Sequence, residues 1–482
     1  KTVATDKTGK AVNADFFESQ TWKETFTVDT DFNAMDGENN IEAIVTNNYG
    51  NMETARVKVF IDKTNPRIIG FNITAENNGI LSKILNFLSF GNFFNERVRV
   101  TVIADDRYGA TSGINTIILY MNGNPVNGSP KTATLLSDGT YKAEFVLPER
   151  LLSNDVSLNA VLSAVAVDNV GNITGKDKEH PNGVPVTPDK VNSDFKSSKL
   201  IIETVNPAVS IFCPEPDFTA NDGKKWYLDD VVFKVSVKDS DAGIRSVRIK
   251  INGTDIAKDI EGKIIDAEFY NKETHEEVFL VSTGQAVRAD DGSYLIEVTA
   301  VDNAGNSYFL SDVVYKDTDI PVVTDFSFVP SASDGVKSTS QFIDFLEYGF
   351  YFKTEFNVVV SVSDNKPSSG LDKINYRLVS YDNGKKSEEK KGTQIIADGT
   401  AVISVPKGFK GQIFVEAFDN AGNKSREVTP GGFVSDDVAP EISITNNTTT
   451  NYSDAEGNKL YVTDMSFTVT ISDYDSGIKE IG

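Results

Sequence analysis

The sequence predicts an all-β chain of tandem sandwiches, each built from two antiparallel sheets. Three observations carry this: a recurring proline-bearing linker, runs of strict apolar–polar alternation, and Asn/Gly-rich turns between them. At 482 residues the chain has room for three or four ordinary domains. With 39% hydrophobic residues, each of them can bury a core.

The linker reads Asp62-Lys63-Thr64-Asn65-Pro66, then Glu203-Thr204-Val205-Asn206-Pro207. It returns as Asp317-Thr318-Asp319-Ile320-Pro321 and Asp436-Asp437-Val438-Ala439-Pro440. The prolines lie roughly 110–140 residues apart, a sandwich-sized period and much longer than a propeller blade or a leucine-rich repeat. Boundaries placed there give 1–65 as the C-terminal part of one domain and 440–482 as the N-terminal part of another. Residues 66–206, 207–320 and 321–439 are then complete domains. Neither end piece has the strands to bury a core, so the natural polypeptide is expected to continue at both ends.

The alternating strand follows each linker. Val231, Phe233, Val235 and Val237 share one face, with Lys234, Ser236 and Lys238 on the other. That period of two means one buried face and one wet face. Residues 98–103, 356–362 and 467–471 read the same way. A carboxylate-rich loop comes next and closes in Gly plus an aliphatic residue, as in Asp239-Ser240-Asp241-Ala242-Gly243-Ile244 and Asp473-Tyr474-Asp475-Ser476-Gly477-Ile478. Looser copies end at Gly113-Ile114 and Gly370-Leu371. The last signal is a strand running into a tight turn: Ala300-Val301-Asp302-Asn303-Ala304-Gly305-Asn306, with relatives at 168–172 and 419–423 and a degenerate one at 47–51. Asn and Gly tolerate the positive φ that such turns require.

The turn and the Asp-to-Pro linker resemble the bacterial immunoglobulin-like repeats of Gram-positive surface proteins, and the resemblance covers nearly the whole chain. It implies tandem immunoglobulin-like β-sandwiches serving as stalks, adhesins or accessory modules of large secreted enzymes.

Two of the domains are expected to carry a short inserted amphipathic helix. Leu81, Ile84, Leu85 and Leu88 fall at helical spacing ahead of Phe90-Gly91-Asn92-Phe93-Phe94. Phe345–Phe352 is the matching segment, and Gly91 and Gly349 stand where a helix end wants a left-handed residue. Such a segment either plugs an open end of its sandwich or presents an apolar patch to a partner. The other units show a simple hairpin approach at Asp222–Tyr227 and Glu456–Tyr461.

The net charge of −23 argues against nucleic-acid binding, because phosphate would be repelled. No apolar run is long enough to insert into a membrane. The single cysteine, Cys213, allows no intrachain disulfide. A disulfide-poor exported protein fits a bacterial surface, though cysteine count alone equally allows cytosol. His180 and His275 sit in polar loops outside the repeating motifs, so no nucleophile–histidine site is expected and the chain is read as no enzyme. Trp22 and Trp226 are too few for sugar platforms and read as packing residues.

Calcium is the sharpest chemical expectation, since it wants six to eight oxygens, several of them from carboxylates. In an immunoglobulin-like sandwich the B–C and F–G loops share the end that the incoming linker reaches. One junction would gather Asp62 with Asp105 and Asp168. Another would gather Asp317 and Asp319 with Asp364 and Asp419; a third has Glu203 with Asp239, Asp241 and Asp302; the last has Asp436 and Asp437 with Asp473. Asp302 shares strand parity with Tyr294, Ile296, Val298 and Ala300, which aims it inward. The competing reading makes these acids turn formers that accept backbone N–H groups of their own loops. Asn47 replaces the acid in the first copy and weakens the metal reading there.

The leading expectation is therefore a non-catalytic stalk or binding region of a bacterial cell-surface adhesin or host-protein-binding protein. It would be extracellular and a monomeric rod, with a host immunoglobulin or matrix protein as partner. No cofactor is required for folding. The alternative is a set of accessory modules in a large secreted carbohydrate-active enzyme.

Overall fold

A computed structural model describes residues 4–12, 23–27, 35–76, 90–148, 157–265, 273–330, 350–382, 385–450, 452–474 and 476–482. Its strands pair into three two-sheet sandwiches, with a two-stranded sheet before them and another after.

The three sandwiches repeat one plan. In each, a three-strand set lies on one side: Arg67–Ala75, Val98–Asp105 and Tyr141–Leu147 in the first copy. The second has Ala208–Phe212, Val232–Lys238 and Glu276–Ser282; the third has Val322–Pro330, Phe356–Ser363 and Thr400–Val405. The opposing sheet carries a three-residue strand running parallel to the last strand: Asn92–Phe94 on Lys199–Glu203, Lys225–Tyr227 on Ser307–Lys316, and Phe350–Phe352 on Gly432–Ser435. This is an immunoglobulin-like arrangement whose first strand is split between the two sheets.

The alternation does what its period requires. Val98, Val100, Val102 and Ala104 are fully buried, as are Val235 and Val237, and Val358 and Val360 in the third copy. Burying one such valine contributes about 1.5–3 kcal/mol relative to leaving it exposed. Each sandwich has its own apolar cluster between its sheets, holding Phe71 and Phe145, Phe233 and Phe279, and Phe356 and Phe433 respectively.

The proposed helix over 81–88 and most of Phe345–Phe352 lie outside the described residues, as does Trp22. What is described corrects the reading at the end of that segment. Gly91 does not take a left-handed φ, and Asn92–Phe94 continues as strand. Among the described residues the helical elements are the single turn Pro188–Val191 and the 3-10 turn Thr283–Gln285. The hairpin approach is present: Phe218–Thr219 pairs with Lys225–Tyr227. Trp226 is 5% exposed and packs at 5.2 Å from Tyr315, so it is a packing residue.

Candidate metal centres at the linkers

Strand parity decides what reaches each linker. The inward row Val98, Val100, Val102, Ala104 continues to Asp106; the row Phe233, Val235, Val237 continues to Asp239. Phe356, Val358, Val360 and Val362 lead likewise to Asp364. On the neighbouring sheet, Leu162, Ala164 and Ala166 lead to Asp168, and Ile413, Val415 and Ala417 lead to Asp419. Each core row thus ends in an inward carboxylate at the rim facing the incoming linker.

Three groups of carboxylates result: Asp62, Asp106 and Asp168; Glu203, Asp239 and Asp302; Asp317, Asp364 and Asp419. Within each, one oxygen from every residue lies within 4.8 Å of the others. Asp105 is not a member, contrary to expectation. It sits one residue off parity and pairs with Arg107, whose Nε donates to it at 2.8 Å and Nη2 at 3.0 Å. That hydrogen bond holds the Asp105 carboxyl below its ordinary range. Asp241 and Asp319 also fall outside the groups, with Asp319 at 3.9 Å from Arg288. Asp437 pairs with Lys407 at 3.2 Å. Asp436 and Asp473 do meet, both accepting from the Ser476 N–H, at 3.1 and 3.0 Å. Among the described residues no third carboxylate joins them.

The linkers are seated by a repeated clasp. The linker acid accepts a backbone N–H from the B–C loop: Ser112 to Asp62 at 2.7 Å, Ala242 to Glu203 at 2.6 Å, Ser369 to Asp317 at 2.6 Å. The last asparagine of each tight turn donates its side-chain amide to the same linker residue's carbonyl. These are Asn172 to Asp62 at 3.2 Å, Asn306 to Glu203 at 2.9 Å and Asn423 to Asp317 at 3.2 Å. The other asparagine of the turn ties it to the B–C loop, with Asn169, Asn303 and Asn420 donating to the carbonyls of Ser112, Ala242 and Ser369. Glycines 171, 305 and 422 supply the positive φ. The asparagines are there for their amides, which the sequence reading missed.

The turn acid accepts backbone N–H groups of its own loop. Asp168 Oδ1 accepts the N–H groups of Val170, Gly171 and Asn172, at 2.9, 2.6 and 2.8 Å. Asp419 Oδ1 accepts from Gly422 and Asn423. Asn47 in the degenerate copy does the same with Tyr49 and Asn51. Yet the groups are not saturated with donors. Asp106 is 1% exposed, and its Oδ1 has no hydrogen-bond partner, while Oδ2 accepts from Gly113 at 2.8 Å. Both carboxylate oxygens of Asp364 are likewise shielded from solvent and unpartnered.

Electrostatics follows burial. Desolvation, with the charges of Asp239 and Asp302, pushes Glu203 up to about 8. Burial pushes Asp302 up to about 7 and Asp364 up to about 6, the latter with help from Asp317. Asp106, Asp239 and Asp419 are raised by burial as well. Carboxylates brought together out of water need a proton, donors or a cation. An all-oxygen donor set with an orphaned buried oxygen suits a hard divalent cation.

His180 is exposed and meets Asp177 at 2.9 Å, as a surface loop residue would. His275 lies closer to the chemistry than its sequence suggested: its Nδ1 is 2.9 Å from the Asp239 carbonyl.

No family model and no curated protein matches the chain. Among solved structures it is similar to a tetra-tandem repeat in the extending region of a large adhesion protein. That likeness has 16% identity over 86% of this chain and 85% of that one, with a TM-score of 0.28. It is also similar to the FN1–FN3 domains of chicken CNTN1, with 13% identity, 76% and 98% coverage and a TM-score of 0.17. TM-scores this low establish neither a shared arrangement nor an activity.

Proposed function

We propose that this chain is a non-catalytic stalk region of an extracellular surface protein, in which divalent cations, calcium foremost, stiffen the linkers between immunoglobulin-like domains. Pro66, Pro207, Pro321 and Pro440 are the boundaries in this reading. The observation that carries it is the convergence, at three successive linkers, of carboxylates from three separate chain elements, with Asp106 Oδ1 buried and unpartnered in one of them. The Asp62, Glu203 and Asp317 side chains would hold a cation together with the B–C and F–G acids of the domain that follows. The cation supplies charge compensation there; remaining positions in its shell go to carbonyls and water.

Binding to the folded linker and not to the unfolded chain would stabilise it by about 2.7 kcal/mol at a hundredfold excess over Kd. The test is calcium titration by calorimetry, with melting temperature and radius of gyration measured in calcium and in chelator. The reading expects saturable binding, a higher melting temperature and a more extended particle in calcium. No heat of binding and no change in either quantity would sink it, leaving the acids as turn formers and solubilisers.

A further inference from the structure

The three linker sites share a clasp but differ in what else holds them shut. At the Glu203 linker, Phe93 and Ile201 of the preceding sandwich pack against Ala242 and Ala304 of the following one. All four are 2% exposed or less. Phe90 joins the cluster, edge-on to Phe93 at 5.2 Å. This is a small dry interface made by the outer side of one sheet edge and by the same two loops that carry Asp239 and Asp302. Lys199 adds an ion pair across it, 3.2 Å from Glu273. The Glu203, Asp239 and Asp302 side chains are all 5% exposed or less, and none of their oxygens is left buried without a partner.

The Asp62 linker is built otherwise. Val170 occupies the turn position that Ala304 holds in the next copy, and it is 61% exposed. Among the described residues no apolar cluster spans this linker. What spans it is polar: Asp36 accepts from Lys63 N–H at 2.7 Å, Thr64 Oγ1 at 2.8 Å and Ala110 N–H at 2.9 Å. These groups are largely exposed to water, where such bonds are worth little net. Gly109 allows the approach, since a Cβ there would stand 2.2 Å from Thr64 Oγ1. The orphaned Asp106 Oδ1 belongs to this linker. The Asp317 linker has features of both. Its Asp364 oxygens are unpartnered, but Pro367 lies against Gly292 and Leu228 lies near Gly422.

We infer that the joints are unequal: the Glu203 joint is rigid without metal, whereas the Asp62 joint becomes rigid only when a divalent cation fills its carboxylate group. The inference rests on the cation reading above and adds to it an order of release. As the cation is withdrawn, the Asp62 joint loosens first, and the sandwiches on either side of Glu203 still move as one body. The physical ground is that apolar burial persists in chelator and offsets the repulsion among the acids at Glu203, while at Asp62 no apolar cluster among the described residues offsets it.

The test uses the full chain carrying Cys213→Ala and pairs of spin labels at exposed positions. Labels at Glu53 and Leu135 span the Asp62 joint; labels at Leu135 and Val287 span the Glu203 joint. The expected result is a broad distance distribution across Asp62 in chelator that collapses to a narrow one in calcium. Across Glu203 the distribution is narrow in both. In the Asp106→Asn chain, calcium should no longer narrow the first distribution. Ala304→Asp, which places a charge in the dry interface, should broaden the second in chelator. Lys199→Ala offers a milder version that leaves every packed side chain in place. Calcium that binds and narrows both joints alike would overturn the inequality alone. Calcium that binds nowhere would overturn the cation reading together with it. A Glu203 joint that is broad in chelator would sink the metal-independent lock whatever the metal does elsewhere.

Discussion

The linkers around Asp62 and around Glu203 come from the same repeat, with a backbone donor from the same B–C position, the same asparagine amide on the linker carbonyl and a trio of acids from the same three places, glutamate replacing aspartate in the linker. Besides that acid they differ at the turn, Val170 against Ala304, at the B–C loop, Ser112 against Ala242, and in the sheet edge beside them. Ala304 is small enough to lie flat against Phe93 and Ile201, while Val170 stands exposed with nothing apolar spanning its linker among the described residues. The difference teaches that a repeated polar motif seats a linker in one geometry without deciding how firmly it is held. Firmness comes from the apolar area beside the motif, which the repeat leaves free to vary.

The comparison can be broken from several sides. The largest effect is expected from Phe93→Ala, which empties a site 1% exposed between two sandwiches. A Phe-to-Ala change in a packed site costs about 3–5 kcal/mol. Denaturation should show that loss, with the two sandwiches beginning to melt separately. Val170→Ala, the matching change at the Asp62 linker, should stay within about 0.5 kcal/mol. Equal losses in the two variants would remove the contrast.

Asp106→Asn comes next. It should abolish the calcium-dependent part of the stability at the Asp62 linker, about 2.7 kcal/mol at a hundredfold excess over Kd. Calorimetric scans in calcium and chelator measure it. In chelator the variant should be no less stable than the parent, because the change removes a buried charge.

A pH series in chelator sharpens the electrostatic side. The folded Glu203 carboxyl is raised from 4.5 to about 8, so the folded state binds its proton more tightly than the unfolded state does. That contribution is fully present below the unfolded value and is lost as pH rises through about 8. Denaturant midpoints should therefore fall between pH 5 and 8.5 by more in the parent than in Glu203→Gln. A parallel pair of curves would show that this carboxyl is not the cause.

The smallest effect is expected from Asp105→Asn. The pair with Arg107 is 51% exposed on the arginine side and 8% on the carboxylate side. Open to water through the arginine, it contributes about 1 kcal/mol, the upper end for surface pairs. Calcium affinity should not change, in contrast to the neighbouring Asp106.

That contrast also marks how far the sequence could be read. Parity along the row Val98, Val100, Val102, Ala104 already aims Asp106 inward and Asp105 outward. Asp106 stands to this row as Asp302 stands to Tyr294, Ile296, Val298 and Ala300. Proximity in sequence does not place Asp241, Asp319 and Asp437: Asp319 and Asp437 turn to Arg288 and Lys407, and Asp241 gives its backbone N–H to Asp239 rather than its carboxylate to the group. The role of the turn asparagines could not be read, because Asn in a turn has two uses and only the fold shows where its amide points.

By itself the sequence determined the all-β class, the repeat and the rim on which acids collect, because apolar period and turn chemistry are local properties that no partner can reverse. The sandwich pairing, the parallel docking of Asn92–Phe94 on Lys199–Glu203 and the dry seat of Ala304 were decided only in three dimensions. The last two join residues about a hundred positions apart or more. Whether such segments meet depends on the packing of every strand between them, and no window of sequence contains that information.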